Sequence, residues 1–153
     1  MVTCAIALGS NVGDRQTHLD YAVSRLQTLV TNLRVASYRE TAPVGVAGPQ
    51  RCYLNAAAVG ETRLSARVLL DRLLAIENER GRERPFTNAP RTLDLDLILF
   101  GDCIVDEPGL VVPHPRFRER RFVLEPLAEI AADLVDPVSS LSIRDLLARI
   151  DIR

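Results

Sequence analysis

With 153 residues and 47% hydrophobic content, the chain suits one domain whose core needs no disulfide or structural metal, and no stretch approaches the ~20 apolar residues of a membrane span. A formal charge of −1 provides no field that would favour nucleic acid or an anionic membrane. All 19 basic side chains are arginine, which excludes the lysine-dependent phosphate loop, the kinase strand lysine and a pyridoxal Schiff base; any phosphate must be held by guanidinium, metal or backbone.

The first ten residues lack the basic stretch and long apolar run of a secretory signal, so a cytoplasmic protein is expected. Val2 to Leu8 predicts a buried strand running into a tight turn at Gly9-Ser10-Asn11. Leu19, Ala22, Val23, Leu26, Leu29, Val30 and Leu33 recur at three- and four-residue steps, which predicts a helix capped by Asp14. Strands are predicted over 34–41 and 53–62. The connection 42–49 between them, broken by glycines and prolines, is a candidate substrate wall or lid. Ser65 opens a second amphipathic helix with Leu69, Leu73 and Ile76 inward, stopped by Gly81. A Pro-punctuated stretch, 82–90, leads to the plainest strand, Thr92 to Phe100. Strand edge and turn over 105–112, a short helix over 122–132 with Pro126 near its start, and a last helix opened by Ser142 and Asp145 complete the chain.

Cys4, Cys52 and Cys103 are an odd number with no metal-ligand spacing and sit beside apolar residues, so buried reduced thiols are expected. Strands interleaved with too few helices for a doubly wound sheet favour a ferredoxin-like α+β sandwich. Its helices would pack on a mostly antiparallel sheet, as a single domain over 1–153.

Asp94-Leu95-Asp96 carries the sharpest chemical signal. Side chains alternate along a strand, so both carboxylates leave one face about 7 Å apart while the leucines go the other way. Such a pair can hold one or two magnesium ions against a polyphosphate; it is also what the solvated face of an edge strand looks like. Arginines crowd both sides in sequence: Arg80, Arg82, Arg84 and Arg91 before the strand, Arg116, Arg118, Arg120 and Arg121 after Pro113-His114-Pro115. Guanidinium forks match phosphate oxygens, and ordinary salt bridges account for some of them. Glu77 stands on the core side of its helix, near Arg82 and Arg84. His114, between prolines, suits a phosphate or ribose contact or no role at all. Tyr53 and Asn55 project to one side and could hold a flat heterocycle, or serve as a core tyrosine and a turn-capping amide.

Together, Gly9-Ser10-Asn11, Thr41 to Gly45, Tyr53-Leu54-Asn55, Glu77 with Gly81 to Arg84, Pro90 to Asp96, Pro113-His114 and Arg120 to Leu124 resemble the 6-hydroxymethyl-7,8-dihydropterin pyrophosphokinase family, in order and spacing across nearly the whole chain. The resemblance implies a ferredoxin-like fold and transfer of pyrophosphate from ATP to the pterin hydroxyl, with AMP leaving, in folate synthesis. It implies that Asp94 and Asp96 bind two Mg2+ ions. Arg82, Arg84, Arg91, His114 and Arg120 would contact phosphates, Arg82 and Arg91 acting in catalysis with the aspartates. Glu77, Leu97, Leu110 and Val111 would lie around the nucleotide. Thr41, Ala42, Val44 and Asn55 would read the pterin, its ring between Tyr53 and Phe122. In-line attack on the β-phosphorus needs no assigned base, and the connections at 42–50 and 82–90 are expected to close over both substrates.

The chain departs from the pattern at Asn88-Ala89, where many members have Trp-Gly, at Pro85, where some have lysine, at Gly109, where some have arginine, and at Ala42, a common proline. A monomer acting on small molecules alone is expected, and the length favours a stand-alone enzyme over a fused one. Two other readings compete: another magnesium-dependent phosphoryl or nucleotidyl transferase, which has no use for Tyr53, Asn55 and Phe122, and a ferredoxin-like regulatory or RNA-binding module, which predicts no ATP turnover.

Overall fold

The computed structural model describes residues 1–41, 52–81 and 92–152. Its main sheet takes β1 (Val2–Ser10), β2 (Thr31–Val35), β3 (Arg39–Thr41), β4 (Tyr53–Thr62) and β5 (Asp94–Phe100), with α1 (Arg15–Leu26) and α2 (Ala66–Glu79) between them. The order is β2-β4-β1-β5, with β3 alongside the far end of β4, and the ladders are antiparallel. A βαββαβ path with that order is the ferredoxin-like arrangement expected. A hairpin of β6 (Val105–Glu107) and β7 (Leu110–Val112) follows, then a 3-10 turn at Phe117–Glu119, α3 (Arg121–Ala131) and α4 (Ile143–Ile152).

Both faces of the sheet are covered, which the simple sandwich did not anticipate. Ile6 and Leu8 of β1 with Leu93, Leu95 and Leu97 join the inner faces of α1 and α2 in one core. Ala5, Ala7, Ala57, Val59 and Leu99 join Phe117, Val123, Leu124 and Leu127 under α3 and α4 in the other. The small residues of β1 and β4 let α3 approach closely. Two-sided burial also explains why β1 reads as an unbroken apolar run rather than an alternating one.

The helix caps follow the sequence closely. Asp14 accepts from the Thr17 backbone N–H at 3.2 Å, Ser65 from Val68 at 3.2 Å and Ser142 from Asp145 at 3.1 Å. Gly81 closes α2 at φ +78°, the left-handed conformation in which a side chain would be strained.

Three expectations need correction. The first helix stops at Leu26, where the Thr28 hydroxyl turns back to the Arg25 carbonyl at 2.7 Å; Leu29, Val30 and Leu33 keep the helical spacing but lie in a turn, just before β2 and in β2. The strand expected over 34–41 is split into β2 and β3, because the Glu129 carboxylate takes the Ser37 N–H and hydroxyl at 2.9 and 3.2 Å. Cys4 is buried and its thiol pushed up to about 11 by desolvation, and the three cysteines are free, but Cys103 is only half-buried and Cys52 is exposed despite its apolar neighbour Leu54. A smaller difference is that Pro126 falls midway along α3 rather than near its start.

Candidate active site

Strand register assembles the site. β1 sets Gly9 opposite Asn55 on one side and opposite Asp94 on the other, and sets Ala7 opposite Asp96; Thr41 of β3 faces Tyr53 of β4. Alternation then puts Thr41, Tyr53, Asn55, Asp94 and Asp96 on the face that carries α3. Asn55 and Asp94 are two strands apart, roughly 10 Å at the usual strand spacing. Between them Gly9 leaves the floor open: a β-carbon there would come within 3.0 Å of Asn55 Oδ1 and 3.9 Å of Tyr53 Cδ1. The buried Asn55 amide also donates to the Thr41 hydroxyl, which fixes its orientation.

The opposite wall comes from the 3-10 turn and the start of α3. Arg116, Glu119, Arg120, Arg121 and Phe122 face the strands across a cavity of about 540 Å³ that Gly9, Asn55 and both aspartates also line. That volume lies within the usual range for small-molecule sites. Arg120 lies over the Phe122 ring, 5.6 Å from its centroid. The turn itself is held from behind: Arg118 makes a bidentate bond to the fully buried Asp136, at 2.5 and 2.9 Å, and stacks on Phe117. Three donors besides Arg118, the Val138 and Ser139 backbone N–H groups and the Ser139 hydroxyl, also reach Asp136; together these bonds outweigh its desolvation and hold its carboxyl down at about 2.

His114 sits beside this wall. Burial first, then the charges of Arg120 and Arg116, lower its pKa from the ordinary value, against an opposing pull from Asp94. Its Nδ1 accepts from the Arg116 backbone N–H at 3.2 Å, so the neutral ring carries its proton on Nε2. Glu77, 2% exposed, accepts the outward N–H of Leu95 at 2.7 Å. It therefore grips β5 between the two aspartates from the far side of the strand. Ser10 adds a second tether by donating to the Thr92 carbonyl at 2.5 Å.

Of the residues singled out in the sequence, Thr41, Tyr53, Asn55, Asp94, Asp96, Arg120 and Phe122 meet in this one cavity. Leu97 and Leu110 are core side chains, and Val111 is exposed. Ala42, Val44, Arg82, Arg84 and Arg91 lie outside the described residues, as do the stretches expected to close over the substrates. Arg80 is bonded to His18 Nδ1 at 3.1 Å and stacked over Tyr21. Neither Arg80 nor Arg118 lines the cavity. Gly9 was expected in a tight turn and belongs to a segment that carries the resemblance, but it lies within β1; its place between two halves of a site follows from a register that the sequence does not print.

Residues 5–132 match the model of the 7,8-dihydro-6-hydroxymethylpterin-pyrophosphokinase family. The chain belongs to that family. The pyrophosphokinase of Bacillus subtilis is 46% identical over 137 residues, spanning 88% of this chain and 81% of the relative, and that of Haemophilus influenzae is 41% identical over 143 residues, spanning 92% and 89%. Among solved structures, wild-type HPPK-DHPS of Plasmodium falciparum superposes with a TM-score of 0.78 over 97% of this chain at 12% identity. This chain spans 44% of that longer one, and at such low identity the likeness bears on the fold alone.

Proposed function

We propose that the protein transfers pyrophosphate from ATP to 6-hydroxymethyl-7,8-dihydropterin, releasing AMP and the pterin diphosphate. Family membership supports the reaction, and one observation ties it to these residues: an aromatic and amide end and a paired-carboxylate end open into the same cavity, about two strand spacings apart, beneath a row of arginines. Tyr53 and Phe122 would stack on the pterin ring. Asn55 and Thr41 would meet the donors and acceptors along its edge. The hydroxymethyl group would then point across Gly9 toward the aspartates.

The pterin hydroxyl oxygen attacks the β-phosphorus, losing its proton to water, while the bond from that phosphorus to the oxygen bridging the α-phosphate breaks, and that oxygen leaves with AMP. Charge moves from the β-phosphoryl group toward the leaving oxygen, where fixed donors act most strongly. Arg120 would hold phosphate oxygens, and His114 would donate from Nε2 without adding charge. Glu77 and Asp136 touch no substrate in this scheme. They hold β5 and the arginine-bearing turn, so the two walls meet in a fixed geometry.

The donor set suits magnesium. Asp94 and Asp96 offer hard oxygens on one face, and the described residues hold no group of three or more His, Cys, Asp or Glu that could form a complete protein cage. Magnesium is usually held in that way, by one or two carboxylates with phosphate oxygens and water filling the remaining positions. When bound, the metal would neutralise phosphate charge. We place the protein in the cytoplasm as a monomer acting on ATP and pterin, without nucleic acid or membrane; no helix among the described residues is long and apolar enough to cross a bilayer. Pterin-dependent AMP release that stops on chelation of magnesium tests the reading, and ADP as the product would reject it.

A further inference from the structure

α1 packs against the sheet face opposite the cavity, yet its polar side chains reach the strands that carry Thr41 and Tyr53. Arg15 Nη2 donates to Glu40 Oε1 at 2.5 Å, and Nη1 donates to the Cys52 carbonyl at 2.8 Å. Glu40 and Cys52 are the residues immediately before Thr41 and Tyr53, which are register partners. One planar guanidinium thus ties both chain entries to that pair. A second link from the same helix, the Tyr38 hydroxyl donating to Asp20 at 2.6 Å, holds the approach to β3. On the cavity face Glu129 takes Arg39 at 2.6 Å as well as Ser37.

β3 needs such holding. It is three residues long and pairs only with β4 among the described strands, so its ladder alone gives little stability. Asn55, the amide that faces the pterin in the proposed function, is bonded to Thr41, and a shift of β3 would carry Thr41 away from it. Glu40 is 61% exposed, so the ion pair contributes little as charge attraction. Its effect is geometric: Arg15, only 18% exposed, is fixed by two bonds in different directions.

We infer that Arg15 is a positioning residue for the pterin half of the site, acting through the sheet on Thr41, Tyr53 and Asn55 and leaving the ATP half untouched. This rests on the function proposed above. Lysine offers one nitrogen in place of two set apart on a rigid plane, so it restores only part of the effect.

The test is steady-state kinetics with both substrates for wild type, Arg15→Ala, Arg15→Lys and Glu40→Ala, with thermal melts alongside. Arg15→Ala is expected to raise the pterin KM about tenfold with the ATP KM within about twofold, and Arg15→Lys to fall between. Glu40→Ala, at an exposed position that does not threaten folding, should raise the pterin KM in the same direction. A merely structural role would lower the active fraction and hence kcat, with both KM values unchanged. That result, or both KM values rising together, overturns the inference while wild-type AMP release leaves the functional reading standing. Wild type that releases no pterin-dependent AMP overturns both.

Discussion

Replacing Glu77 separates holding the site from reacting in it. In Glu77→Ala the Leu95 N–H loses its buried acceptor, 2.7 Å away in the native chain, which costs about 1–3 kcal/mol, and one buried methylene is lost at about 0.8 kcal/mol. A total of about 2–4 kcal/mol lies below the 5–15 kcal/mol of a typical domain, so the variant should fold, with a melting temperature lower by roughly 10 °C. Leu95 lies between Asp94 and Asp96, and β5 is an edge strand of the main sheet among the described residues, so the freed segment can shift. A displacement of about 1 Å would reduce kcat on the order of 100-fold. Glu77→Gln keeps an oxygen for the same N–H, at about 1 kcal/mol less for the neutral acceptor, and should lie within about tenfold of wild type in kcat. Urea melts and initial rates of AMP release read both quantities. Wild-type kcat in Glu77→Ala would refute the positioning argument. So would a stable Glu77→Gln as inactive as Asp94→Ala, because the carboxylate itself would then act on the substrates.

Three further predictions test other parts of the account. Gly9→Ala brings a methyl to 3.0 Å from Asn55 Oδ1 and should cost about 1 kcal/mol of stability, while raising the pterin KM more than the ATP KM. Asp136→Ala leaves Arg118 without its buried partner and should cost about 3 kcal/mol by chemical denaturation. Because the Asp136 carboxyl is held at about 2 against an ordinary 3.8, its stabilisation is complete above the ordinary value and lost as pH falls through 2. His114 titrates below its ordinary 6.5 in the folded chain, so the unfolded chain binds the proton first and stability drops as pH falls below 6.5; an NMR titration should show the midpoint move back up in Arg120→Ala. A midpoint unmoved by that substitution would remove Arg120 from the ring's surroundings.

Local chemistry was legible in the sequence wherever one short segment determined it. The alternation of Asp94, Leu95 and Asp96 placed two carboxylates on one face, Ser65 and Gly81 bracketed α2, and Tyr53 and Asn55 were two apart on a strand; each is realised as written. What could not be read depends on contacts between distant segments. The spacing of Leu29, Val30 and Leu33 fits a helix as well as the turn and strand they form, and only pairing with β4 decides between them. The break at Ser37 depends on Glu129, far along the chain. Arg118 looked like its neighbours Arg116 and Arg120 until Asp136 was found beneath it, and Arg15 meets Glu40 and Cys52 only because α1 lies across β3 and β4. Gly9 is the plainest case, since a glycine at a strand end reads as a turn whether or not a cavity opens above it.

The most direct test of the central claim is AMP release from ATP and magnesium, with and without 6-hydroxymethyl-7,8-dihydropterin, in wild type, Asp94→Ala and Asp96→Ala. The account predicts AMP only when the pterin is present, reduced by orders of magnitude in both variants while their melting temperatures stay near wild type. ADP as product, or pterin-dependent AMP unchanged by either substitution, would contradict it.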